Sequence, residues 1–218
     1  MGLNASDPVD EYASARNRMV NRLEAGGRIE TQATAAAMRS VPRHAFVGIE
    51  NPGEAYADRP LGIGEGQTIS APHMVAMMTD LLVVEPGDRV LEIGTGCGYH
   101  AAITAEIVGP ANVYSVEYHE SLAREAKEVL DRHGYGDISI RVGDGNIGWE
   151  DYAPFDAAYL TCAPSTLPDP VIEQVPNGVV VGPEGDHRQD LVRLHRKDGQ
   201  TTDREVHGAV RFVRMRSA

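Results

Sequence analysis

The chain has 218 residues, 42% hydrophobic and 24% charged, enough to bury the full core of one α/β domain. No apolar run approaches the ~20 residues that span a bilayer, and the N-terminus lacks the basic, apolar and small-residue order of a secretion signal, so a cytoplasmic location and no membrane partner are expected. The net charge of −12 argues against a nucleic-acid partner, because phosphate binding relies on clustered Lys and Arg.

Lysine occurs only at Lys127 and Lys197, against 32 acidic residues. Such a surface suits a high-salt cytoplasm, where it stays hydrated and its repulsion is screened. The two cysteines, Cys97 and Cys162, have no CxxC spacing and fall in expected core elements, which suits a reducing compartment. The eight histidines show no HExxH or other ligand spacing, and no metal is assigned.

In chain order, residues 1–47 read as helical. Val9 to Leu23 sets charged and apolar residues at helical spacing, Gly26-Gly27 stops that helix, and Thr31 to Met38 forms a second. Gly48 to Ile69 holds Pro52, Gly53, Pro60, Gly62, Gly64 and Gly66, too many breakers for regular structure. A long irregular segment of this kind is expected to be functional. A helix starts near Pro72, with Ser70 as a candidate N-cap. After Leu81-Leu82 and a Pro86-Gly87 turn, strands are expected over Val90 to Ile93, Asn112 to Val116, Ile138 to Val142, Ala157 to Leu160 and Val179 to Gly182. Leu191 to Leu194 and Val210 to Met215 form a terminal pair. The expected fold class is α/β, a Rossmann-like doubly wound sheet of about seven strands with an N-terminal helical extension. One domain spans 1–218, divided into N-terminal helices (1–47), an active-site loop (48–70) and a core with C-terminal strands (71–218).

Chemistry concentrates at the ends of three successive strands. Val90 to Ile93 runs into Gly94-Thr95-Gly96-Cys97-Gly98 and then a helix pattern over Ala101 to Val108. This order builds a nucleotide-cofactor half-site, since ligands of open parallel sheets lie beyond the carboxyl ends of the strands. The spacing is G-x-G-x-G rather than the dinucleotide G-x-G-x-x-G, and Glu92 precedes the first glycine. A carboxylate there disfavours a pyrophosphate and suits an ammonium and a sulfonium, which points to S-adenosylmethionine. Glu117 ends the next strand 23 positions after Gly94, near the ~20-residue offset of a ribose-binding acid. The third strand runs into Gly143-Asp144-Gly145, where Asp144 is placed to accept from the adenine amino group. Singly, each acid reads equally as a solvated strand end or a turn residue. The cofactor candidates are Glu92, Gly94, Thr95, Gly96, Gly98, Glu117, Asp144 and Gly145.

Further stretches resemble one family. Val41-Pro42-Arg43-His44 with Phe46-Val47, Ala55-Tyr56-Ala57-Asp58-Arg59-Pro60-Leu61, Ile63-Gly64 through Pro72, the glycine turn, Gly143-Asp144-Gly145 and Ala153-Pro154-Phe155-Asp156 are similar, in order, to protein-L-isoaspartate O-methyltransferases. Gln67-Thr68-Ile69-Ser70 beside Ala55-Tyr56 carries the specificity. The resemblance implies methyl transfer from S-adenosylmethionine to the α-carboxylate of L-isoaspartyl residues in damaged peptides and proteins, a repair reaction whose ester closes to a succinimide. A carboxylate with a pKa near ~4 is already ionised at neutral pH and needs no catalytic base. Alignment of the reacting atoms supplies the rate. By the same resemblance Ser70 is the active-site serine that holds the acceptor carboxylate, with Thr68 and Ile69 lining the cleft. Departures cluster toward the C-terminus, at Val175-Pro176-Asn177-Gly178, Gly182-Pro183-Glu184-Gly185 and Phe212-Val213-Arg214. They support the alternative of a methyltransferase on the same scaffold with another carboxylate or protein acceptor; a non-catalytic cofactor-binding or partner-binding module is the third reading.

Overall fold

The computed structural model describes residues 8–48 and 51–217. Residues 1–7, Ile49, Glu50 and Ala218, which the expected helical zone, loop and domain span include, lie outside these. Helix α1 (Pro8–Ala25) is stopped where expected, by Gly26 and by Gly27 at φ 63. Helix α2 (Gln32–Ser40) is capped by Thr31, whose hydroxyl accepts the Thr34 N–H at 3.2 Å. That hydroxyl also lies 2.7 Å from Asp80 Oδ1 on α5 (Pro72–Leu82), pinning the two helices together.

A sheet of seven strands forms the centre, in the order β5-β4-β3-β6-β7-β8-β9. Strands β3 (Val90–Ile93), β4 (Val113–Glu117), β5 (Ser139–Val142), β6 (Ala157–Leu160) and β7 (Gly178–Glu184) run parallel. Strands β8 (Gln189–Lys197) and β9 (Gln200–Val210) close one edge antiparallel. Helix α6 (Tyr99–Val108) crosses from β3 to β4, and α7 (Glu120–Arg132) from β4 to β5. Alternation along the buried strands sends successive residues to opposite faces. Val90 packs under Met19, Met38, Val75 and Ile103 of the helical layer, whereas Leu91 and Ile93 pack with Trp149, Phe155, Leu167 and Val171 on the other face. The short helix α8 (Asp169–Glu173) lies on that second face. Both β4 and β6 pair with β3, so the order reverses there and a crevice opens beyond its carboxyl end. Among the described residues, no helix is long and apolar enough to cross a membrane.

The sequence expectations need three corrections. The 48–69 segment is not without regular structure. After α3 (Arg43–Val47) come α4 (Pro52–Ala55) and a hairpin of β1 (Leu61–Gly64) with β2 (Gln67–Ile69). Glu65 and Gly66, at φ 51 and 68, form its two-residue turn, so the glycines that read as breakers serve a tight reversal. The last strand lies earlier than Val210 to Met215. It is β9, an exposed edge strand with no apolar alternation, reached through Asp198-Gly199 at φ 50 and 75. Residues 211–215 instead form a tail held by a parallel bridge, Ala163 to Arg214, and by Gln189, which both donates to and accepts from the Phe212 backbone. Its Phe212 and Met215 pack against the two core faces. Finally, Ser70 does not cap α5. The N-cap is Ala71, with no side-chain capping bond, because Pro72 begins the helix one residue later than a serine cap requires.

Candidate active site

The turn after β3 is built by glycines that no larger residue replaces. Gly94, at φ 98, donates to Val116 O at 2.8 Å, and a Cβ there would lie 2.3 Å from Thr161 Oγ1. Gly96, at φ 55, donates its N–H to Glu117 Oε2 at 2.8 Å, while Glu117 Oε1 accepts the His119 N–H at 2.9 Å. The end of β4 is thereby tied to the turn after β3. Gly98, at φ 87, has a packing reason as well, since a Cβ on it would meet Leu130 Cδ1 at 3.0 Å, and it opens α6 close against α7.

Glu92 lies beneath the turn with no solvent exposure. Ser115 Oγ reaches its Oε2 at 2.5 Å and the Tyr159 hydroxyl its Oε1 at 2.9 Å. Burial pushes its pKa up to about 8, outweighing those hydrogen bonds. The ionised carboxylate expected from the sequence is therefore a predominantly protonated acid at neutral pH in the free protein. Thr95 is tied into the same network, with its hydroxyl 2.5 Å from Ser115 Oγ.

Gly94, Gly96, Glu117 and Gly145 line one cleft, together with Tyr118, His119, Thr161 and Cys162. The hairpin roofs it with Ile63, Gln67 and Thr68, and the tail contributes Val213 to Arg216. A Cβ on Gly145 would come 2.4 Å from Ile93 Cγ2, so glycine is required at that wall. Asp144 sits one residue away, where its Oδ1 accepts the Asn146 N–H at 2.8 Å and caps the turn that Gly145 begins. An inner cavity continues from the cleft past Glu92, Thr95 and His100 to Ile69 and Ser70. An outer groove holds Pro60, Ser70, His73, Arg211, Phe212 and Arg214. Thr68 and Thr161 line all of these spaces, and Ser70 joins the inner cavity to the groove.

The donor set fits S-adenosylmethionine. Ile93, Val116 and Cys162 give the cleft apolar walls, Glu117 presents acceptors for ribose hydroxyls, and backbone at Gly94, Gly96 and Gly145 leaves space that a Cβ would take. The arginines lining the cleft, Arg214 and Arg216, come from the tail and not from the glycine turn, so the turn lacks the cation of a pyrophosphate site. Burial raises the Cys97 thiol to about 11 and that of Cys162 to about 12, and drives His100 down to about 3, leaving it neutral. Tyr118, His119, Thr161, Cys162 and the tail were absent from the sequence candidates. Thr161 and Cys162 follow the carboxyl end of β6, so the strand-end rule that singled out Glu117 and Asp144 applies to them as well.

The profile of the family described as protein-L-isoaspartate(D-aspartate) O-methyltransferase (PCMT) matches residues 14–218. The chain belongs to this family. Among its relatives, protein-L-isoaspartate O-methyltransferase 2 of Archaeoglobus fulgidus is 46% identical over 208 residues, covering 94% of each chain. The protein-L-isoaspartate O-methyltransferase of Methanothermobacter thermautotrophicus is 45% identical over 202 residues, covering 91% of this chain and 93% of that one. A solved protein-L-isoaspartate O-methyltransferase superposes with a TM-score of 0.84 at 27% identity, covering 93% of this chain and 66% of that longer one. A Plasmodium falciparum PCMT, solved with S-adenosyl-L-homocysteine, gives a TM-score of 0.81 at 25% identity, covering 93% of this chain and 99% of that one. PCMTs depend on S-adenosylmethionine and act on isoaspartyl-containing proteins.

Proposed function

We infer that this chain methylates the α-carboxylate of L-isoaspartyl residues in damaged proteins, as a repair enzyme that uses S-adenosylmethionine. The observation that carries the reading is the continuity of the spaces: Thr68 and Thr161 face both the cofactor cleft and the outer groove, and Ser70 stands where the inner cavity meets that groove.

Each residue then has a role. Glu117 holds the ribose, Asp144 and Gly145 bound the adenine, and Gly94 to Gly96 carry the methionyl part of the cofactor with Glu92 and Thr95 beneath. Gly98 supports the turn from behind. Ser70, placed at the start of α5 where free N–H groups favour an anion, donates its hydroxyl to the acceptor carboxylate, and Thr68 and Ile69 shape the passage. S-adenosylmethionine supplies the methyl group as an activated sulfonium. The chain contributes alignment and exclusion of water, which reach ~7–11 kcal/mol in well-oriented cases. The acceptor carboxylate is already ionised at neutral pH and calls for no general base.

Arg211 and Arg214 in the outer groove favour a second reading, a different carboxylate-bearing acceptor. A panel of isoaspartyl, aspartyl and small-carboxylate substrates tests both. Methylation confined to isoaspartyl peptides supports repair, and preferential methylation of another carboxylate supports the second reading.

A further inference from the structure

The β8–β9 hairpin gathers ligating side chains outside the cleft and groove. In its antiparallel register Arg193 faces Glu205 and His195 faces Asp203, so these four side chains leave the same face of the sheet edge. His207 follows two residues after Glu205 and brings its Nε2 to 3.1 Å from Glu205 Oε2. His195 Nε2 lies 3.2 Å from Glu205 Oε1, yet it is off the hydrogen-bonding line, shielded from solvent and without a hydrogen-bond partner. One ligand atom each from His195, Asp203 and Glu205 lie within 4.8 Å of one another. Around a tetrahedral zinc, with bonds of about 2.1 Å, ligand atoms stand ~3.4 Å apart. The His195–Glu205 contact already matches that spacing, and rotation of the exposed Asp203 closes the rest; His207 stays on the other oxygen of Glu205, outside the group.

The chemistry selects the ion. An imidazole with two carboxylates suits zinc and its transition-metal neighbours, whereas calcium and magnesium prefer oxygen alone. Arg193 Nη1 lies 3.5 Å from Glu205 Oε2, where it orients that carboxylate from behind, as outer-shell partners do. The sequence expectation of no metal rested on spacing along the chain. Here the ligands pair across the Asp198-Gly199 turn, a proximity that helical or CxxC templates do not encode.

We propose that His195, Asp203 and Glu205, with water as the fourth ligand, bind one zinc ion that fastens the edge hairpin. The competing account is an exposed ladder of ion pairs, which contributes little to stability. Binding also steadies the strand that continues into Ala209 and Val210 of the outer groove.

The test strips full-length protein with a chelator and titrates it with Zn2+ alone by calorimetry, alongside His195→Ala and Glu205→Gln. The expected result is one zinc per chain, with affinity falling at least about tenfold in either variant. Cobalt in place of zinc gives the visible absorption of a tetrahedral site, lost in His195→Ala. Glu205→Gln keeps the side-chain shape, so it carries the comparison if His195→Ala unfolds. Uptake well below one zinc per chain, or affinity unchanged by the substitutions, overturns the site. Because the readout is metal, neither outcome bears on methyl transfer.

Discussion

Glu117 Oε2 accepts the backbone N–H of Gly96 at 2.8 Å, locking the carboxyl end of β4 to the turn that follows β3. The other oxygen accepts the His119 N–H, and each retains lone-pair capacity for a ribose hydroxyl. Glu117→Gln replaces one acceptor with a donor that faces N–H groups. Loss of a hydrogen bond to a charged group costs about 1.5–3 kcal/mol, so the dissociation constant for S-adenosylmethionine is expected to rise about 10- to 100-fold by calorimetry. An unchanged constant removes Glu117 from the cofactor site.

Ser70 sits at the junction of inner cavity and groove without capping α5. Ser70→Ala therefore leaves the helix start intact and removes only the hydroxyl offered to the acceptor. The expectation is a drop of about tenfold or more in kcat/KM for an isoaspartyl peptide, equivalent to ~1.4 kcal/mol or more, with the melting temperature and cofactor affinity preserved. Equal kcat/KM in wild type and variant takes Ser70 out of the mechanism.

The two glycine substitutions Gly94→Ala and Gly62→Ala have opposite signs. At Gly94 the backbone is left-handed and the new methyl meets Thr161 Oγ1 at 2.3 Å, so Gly94→Ala lowers stability and weakens cofactor binding together. At Gly62 nothing lies within 4 Å of a Cβ. Alanine there restricts the unfolded chain and adds about 0.4–1 kcal/mol. Denaturant midpoints measure both, and a Gly62→Ala protein less stable than wild type contradicts the placement of β1.

Glu92 predicts a pH dependence. Its carboxyl titrates near 4.5 when unfolded and at about 8 when folded, so between those values the folded state binds the proton more tightly. The group's contribution is complete below the unfolded value and is lost as pH rises through the folded one. His100 acts on the acid side: held down to about 3 from 6.5, it reduces stability as pH falls below 6.5. Glu92→Gln keeps a neutral, hydrogen-bonding side chain and isolates the first effect. The stability difference between wild type and variant, from urea unfolding at pH 5 to 8.5, is expected to shrink or reverse against wild type as pH rises. A difference independent of pH places Glu92 in the ionised form throughout.

Much of the site was legible because parallel strands put ligand-binding residues at their carboxyl ends, a position that pattern alone marks. Gly94 follows the strand Val90–Ile93 and Glu117 ends the strand Val113–Glu117, whose largely apolar, buried runs mark them as central. What stayed hidden depends on contacts across the fold. β9 carries no apolar alternation because its residues are exposed at the sheet edge, and Phe212 to Met215 read as a strand because they are apolar, although they pack as a tail. Glu65 and Gly66 read as a break because tight turns and irregular loops use the same residues. The charge state of Glu92 follows from Ser115, Tyr159 and complete burial, none of which its own segment contains.

The central claim meets its most direct test in transfer of labelled methyl from S-adenosylmethionine to an isoaspartyl peptide, set beside the same peptide with ordinary aspartate. The account predicts base-labile methyl ester on the isoaspartyl peptide and none above background on the other. Equal labelling of both, or none on either by a folded protein that binds the cofactor, contradicts it.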